Sequence, residues 1–284
     1  MSKILITGSK GQLGSEFKIL EPTHPEHQFI FTDADELDIT DLVTVENFVA
    51  RHRIDCIINC AAYTNVDKAE TEREFAEKIN AYGPANLAQA AKISNSLLIH
   101  ISTDYVFDGK SNIPYKESDP VNPQGHYGTT KLAGEEAILK SGAMALIIRT
   151  AWLYSAFGHN FVKTMRKYGS ERGELRIVAD QTGTPTYAAD FAAAIIYIIP
   201  KYNGSGSEIY HYSNSGITTW YEFACEIVKL SEISCDVHPI TTVEYPFPTP
   251  RPMYSVLDKS KIIRDFGLKI PPWQESLRRC IYLL

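Results

Sequence analysis

A chain of 284 residues that is 44% hydrophobic and 22% charged has enough apolar material for a substantial core, arranged as one large domain or two intimate lobes. Its net charge of −6 and pI near 5.8 argue against a broad electrostatic grip on nucleic acid or an anionic membrane surface; an anionic small substrate would need local basic groups. The N-terminal apolar run Ile4-Leu5-Ile6 stops at Thr7-Gly8, too short for a signal-peptide core, and no later stretch approaches a membrane span, so a cytoplasmic protein is expected. Five cysteines, Cys56, Cys60, Cys225, Cys235 and Cys280, are an odd set without zinc-site spacing; reduced, mostly buried thiols are expected and no metal site is read from them.

From the N-terminus, apolar β-rich runs alternate with longer amphipathic stretches. After Ile4-Leu5-Ile6 come Phe29-Ile30-Phe31, Cys56-Ile57-Ile58, Leu97-Leu98-Ile99-His100-Ile101 and Ala145-Leu146-Ile147-Ile148, the βαβ rhythm of a parallel sheet. Between them, Leu42 to Arg51 and Lys68 to Lys92 have helical spacing, the second with Phe75, Ile79, Leu87 and Ala91 as its inner stripe. The prediction is an α/β, Rossmann-type doubly wound parallel sheet over residues 1–150. A smaller, mainly substrate-binding lobe follows over 151–284, where prolines, glycines and aromatics cluster, as in Tyr245-Pro246-Phe247-Pro248-Thr249-Pro250-Arg251-Pro252. The alanine- and isoleucine-rich helix near 190–199 is a candidate to return to the first lobe.

The first strand runs straight into Gly8-Ser9-Lys10-Gly11-Gln12-Leu13-Gly14. Glycine tolerates φ > 0 and lets backbone approach a pyrophosphate, while the following helix N-terminus faces the phosphates. Asp33 closes the second strand about 20 residues beyond this turn, where a carboxylate accepts from an adenosine ribose and repels a 2′-phosphate. That leans the choice towards NAD; Lys10, set against Asp35 and Glu36, leaves NADP open. Asp38, Ile39, Ala62, Tyr63 and Thr64 follow later strand-like segments, where adenine and nicotinamide-ribose contacts arise. Without this context, each would be an ordinary turn residue.

Tyr127 and Lys131 stand one helical turn apart. A phenol with pKa about 10 is a proton donor at neutral pH, and a nearby lysine cation is expected to lower that value and to hold the nicotinamide ribose. A third group must steady the carbonyl oxygen. Thr103, with Ser102 second, lies directly after the fourth strand in Ser102-Thr103-Asp104-Tyr105-Val106-Phe107-Asp108-Gly109. Arg251, stiffened between prolines, is a candidate for a substrate diphosphate, and a solvated loop arginine is about as plausible.

These motifs, with Asn59-Cys60-Ala61-Ala62-Tyr63-Thr64-Asn65-Val66-Asp67-Lys68-Ala69-Glu70, Arg149-Thr150-Ala151-Trp152-Leu153-Tyr154 and Asp180-Gln181-Thr182-Gly183-Thr184-Pro185, resemble the extended short-chain dehydrogenase/reductases. Within that superfamily the likeness is to the dTDP-4-dehydrorhamnose reductase family and covers nearly the whole chain. The resemblance implies NADPH or NADH as cofactor and a nucleotide-sugar substrate. It places Gly11, Gln12, Leu13, Asp33, Asp38, Ile39, Ala62, Tyr63, Thr64, Tyr127 and Lys131 at the cofactor, and Thr103, Asp104 and Trp152 at the substrate. It also implies a homodimer as an option, with magnesium held between subunits in some members; only Glu16 stands where such a ligand carries over. Related dehydratases resemble Thr-Asp-Glu after the fourth strand, whereas Thr103-Asp104-Tyr105 lacks that base, which favours simple ketone reduction. The regulatory β subunit of methionine adenosyltransferase is similar in fold and motifs, so a non-catalytic regulatory subunit is the rival reading. Retention of Thr103, Tyr127 and Lys131 together favours catalysis.

Overall fold

The computed structural model describes residues 2–204, 206–245 and 247–284; Pro246, within the proline-rich stretch, lies outside the described residues. The elements that position the site are β1 (Ser2–Thr7), α1 (Gln12–Leu20), β2 (His27–Phe31), α2 (Leu42–His52), β3 (Cys56–Asn59), α3 (Gly83–Ser94), β4 (Leu97–Thr103), α4 (His126–Ser141) and β5 (Ala145–Thr150). After them come α5 (Phe161–Arg172), β6 (Glu174–Val178), α6 (Ala188–Ile198), β7 (Ser207–His211), α7 (Trp220–Leu230), β8 (Asp236–Ile240) and α8 (Trp273–Tyr282).

Six strands form one parallel sheet in the order β7-β5-β4-β3-β1-β2. The continuous apolar runs follow from this, because a parallel strand is covered on both faces. Successive side chains point to opposite faces: Ile4, Ile6, Ile58, Ile99 and Ile148 pack with residues of α1 and α6. Leu5, Ile57, Leu98 and Ile147 pack against α2, α3 and α4 on the other face. The order reverses at β1, whose neighbours are β2 and β3, so the carboxyl ends of β1 and β3 border the crevice where such sheets bind ligands.

The chain beyond residue 150 contributes to both regions. Helix α6 packs on α1, and β7 extends the sheet with Ser207 opposite Ala145 and His211 opposite Arg149. A separate core gathers Tyr154, Val162, Met165, Leu175, Phe223 and Leu277, with β6 and β8 paired in parallel beside it.

The expected inner stripe over Lys68 to Lys92 needs correction. That segment is a short helix Arg73–Glu77, a π-helical turn Lys78–Tyr82, and then α3. The wider turn resets the helical phase, so Leu87 and Ala91 are fully buried while Phe75 is 55% exposed and meets Tyr63 edge-on.

Helix α4 is anchored to the sheet by a charge pair that water does not reach. Arg149 on β5 donates through Nη2 to Glu135 Oε2 at 2.6 Å and through Nε to Oε1 at 2.9 Å, with the side chains 2% and 1% exposed. The Ser102 hydroxyl donates to the same carboxylate. A buried pair adds little net stability, but removing one partner strands the other charge. Glu135→Leu is therefore expected to cost about 3–5 kcal/mol, read as a lower urea midpoint at unchanged m-value.

Candidate active site

The glycine turn is built by backbone contacts that a side chain would block. Gly8 has φ +63°, and a Cβ there would lie 2.6 Å from the Ala61 nitrogen; a Cβ on Gly14 would lie 2.5 Å from the Gly8 carbonyl oxygen. Helix α1 therefore starts against the ends of β1 and β3, with Gly11 at its N-cap and no side chain capping its first turn. That leaves amide donors and the positive end of a helix dipole at the crevice, a fit for a dinucleotide pyrophosphate. Asp33 sits beside the turn, where its carboxylate accepts from the Lys10 and Ala34 amides, each at 2.9 Å. Lys10 Nζ pairs with Asp35 at 2.9 Å, so the lysine is held by acids on this exposed rim. Asp38 caps Thr40, and Ile39 is buried against Gly83. The Ala62-Tyr63-Thr64 loop is clamped by Asn80, whose Oδ1 accepts from the Tyr63 amide at 2.9 Å while Nδ2 donates to the Tyr63 carbonyl at 3.0 Å.

Tyr127, Lys131 and Glu135 follow one face of α4 at single-turn spacing. The helix approaches closely because Gly128 lies on the Tyr105 carbonyl and Gly134 on the Asn80 carbonyl, where a Cβ would collide. Tyr105 meets the Tyr127 ring edge-to-face, centroids 5.4 Å apart. Thr103 reaches the Tyr127 phenol and donates to Asp104 Oδ1 at 3.0 Å. Of the two hydroxyl candidates, Ser102 points to Glu135 inside the protein, so Thr103 is the one that joins the tyrosine.

Electrostatics here are ruled by desolvation. Burial pushes the Tyr127 phenol up to about 12; the Thr103 contact opposes this and the Asp104 charge adds to it. Lys131 is not among the groups that shift the phenol, so the lowering expected from the lysine does not arise in this geometry. Lys131 is itself brought down to about 8 by burial, against the pull of Glu135, and its Nζ donates to the Ile101 carbonyl at 2.6 Å. Asp104 is raised to about 7 by burial, with the Thr103 and Ser255 hydroxyls pulling the other way; its Oδ2 has no hydrogen bond of good geometry among the described residues.

Asp104, Tyr105, Trp152 and Arg251 open onto a cleft of about 1160 Å³ that runs between α5, β6 and the 244–252 loop. Trp152 adopts φ +50° and stacks on Trp220 at 3.6 Å between centroids. Arg251 is at the rim, but its Nη2 donates to Asp67 at 2.7 Å, Nη1 to the Thr249 carbonyl at 3.1 Å, and its guanidinium lies over Phe247. In this state it tethers the proline-rich loop to the Asp67 turn.

The RmlD substrate binding domain family model matches residues 2–284. The chain belongs to this family. It is 39% identical over 287 residues to a dTDP-4-dehydrorhamnose reductase of Aggregatibacter actinomycetemcomitans, covering 98% of each chain. The crystal structure of a dTDP-4-dehydrorhamnose reductase from Clostridium acetobutylicum superposes with TM-score 0.94 at 44% identity, covering 99% of both chains. A Bacillus anthracis dTDP-4-dehydrorhamnose reductase, solved in complex with NADP, gives 0.94 at 40% identity over the full length of both.

For this RmlD-family chain the magnesium suggested through Glu16 does not fit. Glu16 is 3% exposed, its carboxylate already accepts from the Ser155 hydroxyl, and burial raises its pKa. No cluster of metal-ligating side chains occurs among the described residues, and no helix of the structure is long and apolar enough to cross a membrane. Residues that the sequence analysis did not single out include Asn80, Glu135, Trp220 and Asn160, which donates to Gln12 at 3.0 Å and docks the 155–160 loop on the glycine helix. For Glu135, the continued four-residue spacing after Tyr127 and Lys131 was a readable signal.

The Asp104 shift has a stability signature. Its folded pKa is raised, so its stabilising contribution is complete below the unfolded value of 3.8 and is lost as pH rises through about 7. Asp104→Asn, which cannot ionise, is expected to gain Tm over the parent as pH goes from 5 to 9, with a ceiling of about 4 kcal/mol; parallel pH–Tm curves would remove the buried-acid description.

Proposed function

We propose that the protein catalyses NAD(P)H-dependent reduction of the C4 keto group of dTDP-4-dehydro-L-rhamnose to dTDP-L-rhamnose, a step of dTDP-rhamnose biosynthesis. One observation carries this reading: the Thr103 hydroxyl, the Tyr127 phenol and Lys131 are gathered at the carboxyl end of β4 in a chain whose glycine turn is shaped for a pyrophosphate. The named functions of relatives that match this chain end to end support the substrate.

Bound NAD(P)H supplies the hydride to C4. Thr103 turns its hydroxyl proton from Asp104 to the ketone oxygen, and Tyr127 delivers its phenolic proton there as negative charge develops. A phenol held near 12 stays protonated throughout the physiological range, so donation waits for the alkoxide. Lys131 holds the nicotinamide ribose and fixes the angle of hydride delivery. Asp104, Trp152 and the residues after 150 supply the sugar and nucleotide side, with Arg172, Arg176 and Arg251 along the cleft available to a diphosphate. Gly8, Gly11, Gln12, Leu13, Gly14, Asp33, Asp38, Ile39, Ala62, Tyr63 and Thr64 form the dinucleotide side. The exposed Asp33–Lys10–Asp35 rim accommodates either a ribose hydroxyl or, by release of Lys10, a 2′-phosphate.

Loss of NAD(P)H absorbance with dTDP-4-dehydro-L-rhamnose tests the assignment. Wild type is expected to turn over, and Tyr127→Phe at matched folding to lose about 10²–10⁴ in kcat; a folded wild type inert towards this ketosugar with both cofactors would sink the reading. Arg251→Ala is expected to raise KM about tenfold with little change in kcat, the pattern of lost uniform binding. An unchanged KM would leave Arg251 as a loop tether only.

A further inference from the structure

A buried chain of hydrogen bonds runs from the end of β1 to the proposed active-site lysine and is not used by the mechanism above. The Thr7 hydroxyl donates to Asn59 Oδ1 at 2.7 Å, and the Ala61 amide donates to the same oxygen at 3.1 Å. Two donors on one oxygen settle which way the Asn59 amide points, so its Nδ2 is the atom 3.0 Å from His100 Nδ1. An amide nitrogen only donates, hence His100 Nδ1 accepts and the neutral ring carries its proton on Nε2. Nε2 lies 3.3 Å from Lys131 Nζ. Asn59 is 1%, His100 0% and Lys131 2% exposed.

This geometry has a definite polarity. The Nε2–H group can donate to a lysine nitrogen that is an amine, with its lone pair towards the ring and a hydrogen on the Ile101 carbonyl. An ammonium in the same place would set N–H against N–H where no water intervenes. We propose that His100, oriented by Asn59, is a positioning residue that holds Lys131 through its Nε2–H and makes protonation of the lysine conditional on breaking that contact. The inference rests on the reductase reading for its catalytic meaning, because it governs when Lys131 carries the charge presented to the ribose and to Tyr127.

The other ionisable groups around the lysine do not supply this control. Glu135, one turn along α4, draws the lysine's pKa upward, but its carboxylate is engaged by Arg149 of β5 and by Ser102 and makes no contact that would change with the lysine's proton. Cys60, after β3, has its thiol pushed up by burial and stays neutral. Tyr127, one turn back, is likewise a neutral phenol over the working range. His100 is driven well below its ordinary value by burial and by Lys131 itself, so it remains a neutral donor.

Asn59→Asp is informative through the ring tautomer, since it keeps the acceptor for Thr7 and Ala61 and turns the donor facing His100 into an acceptor; its added charge raises the lysine by itself, so the proposal requires the Nδ1–H form of His100 alongside any Lys131 shift. The ring proton should then move to Nδ1 and expose an Nε2 lone pair to the lysine, which favours the ammonium. Nitrogen-15 NMR of labelled histidine is expected to show His100 as a neutral Nε2–H tautomer in the wild type and an Nδ1–H form in the variant. Carbon-13 NMR of ε-labelled lysine, assigned with Lys131→Met, is expected to show the Lys131 midpoint moving up by about one pH unit or more, and the basic limb of kcat/KM moving with it. An Nδ1–H or doubly protonated His100 in the wild type, or a Lys131 midpoint unmoved in folded Asn59→Asp, would overturn the proposal. If the variant does not fold, the wild-type tautomer alone decides. A wild type without ketosugar reduction would overturn the reductase reading and leave both NMR results to judge this one.

Discussion

Everything in the site depends on how closely α4 is allowed to lie on the carboxyl edge of the sheet. Two of its glycines sit where backbone carbonyls from Tyr105 and Asn80 leave no room for a Cβ. Glycine inside a helix costs about 0.5–1 kcal/mol relative to alanine, and the cost is accepted at Gly128 and Gly134 because a larger residue would push the helix outward. Such a displacement would carry Tyr127 away from Thr103 and Lys131 away from the end of β4. The same constraint acts on the opposite side of the crevice, where Gly8 and Gly14 bring α1 onto the ends of β1 and β3.

The electrostatics follow from that closeness. A helix pressed onto a sheet buries whatever charges it carries on the inner face, and α4 carries Lys131 and Glu135 there. Glu135 is compensated by Arg149 on β5, whose guanidinium also lies 5.0 Å from the Phe107 ring centre. Because the arginine satisfies the glutamate, the lysine is left without a strong counter-ion and is depressed by burial. Asp104 follows the same rule with opposite sign. The fold thus keeps a stable ion pair beneath the site and titratable groups at its floor, a division produced by which partner each charge can reach.

Much of this was legible in the sequence. Continuous apolar runs separated by helical spacing specified a parallel sheet, and the strand-to-glycine turn placed the crevice, since both signals are local and periodic. The Tyr127–Lys131 spacing and the hydroxyl after β4 also read correctly as neighbours in space. What was not legible depended on long-range packing or on an irregular backbone. The π turn at Lys78–Tyr82 broke the inner stripe and turned Phe75 outwards, and no periodicity test anticipates an inserted turn. The tether that Arg251 makes to Asp67 was equally hidden, because the two lie 184 residues apart in the chain. Glu16 was matched by resemblance to a magnesium ligand between subunits, and nothing near it in sequence reveals that it is buried against Ser155. His100 stood in plain view inside an apolar strand run, but its consequence needed the Asn59 amide orientation.

Trp152 and Trp220 carry a different kind of information. Two of the three tryptophans in the chain are stacked face to face, 3.6 Å between centroids and 11° from parallel, on the wall of the cleft. The left-handed backbone at Trp152 is tolerated because that stack and the close contact with Gly183 over-determine it. Indole rings at this separation couple electronically. The protein therefore holds a paired ultraviolet chromophore on the wall of its cleft, whose spectrum is set by the spacing and mutual rotation of the two rings.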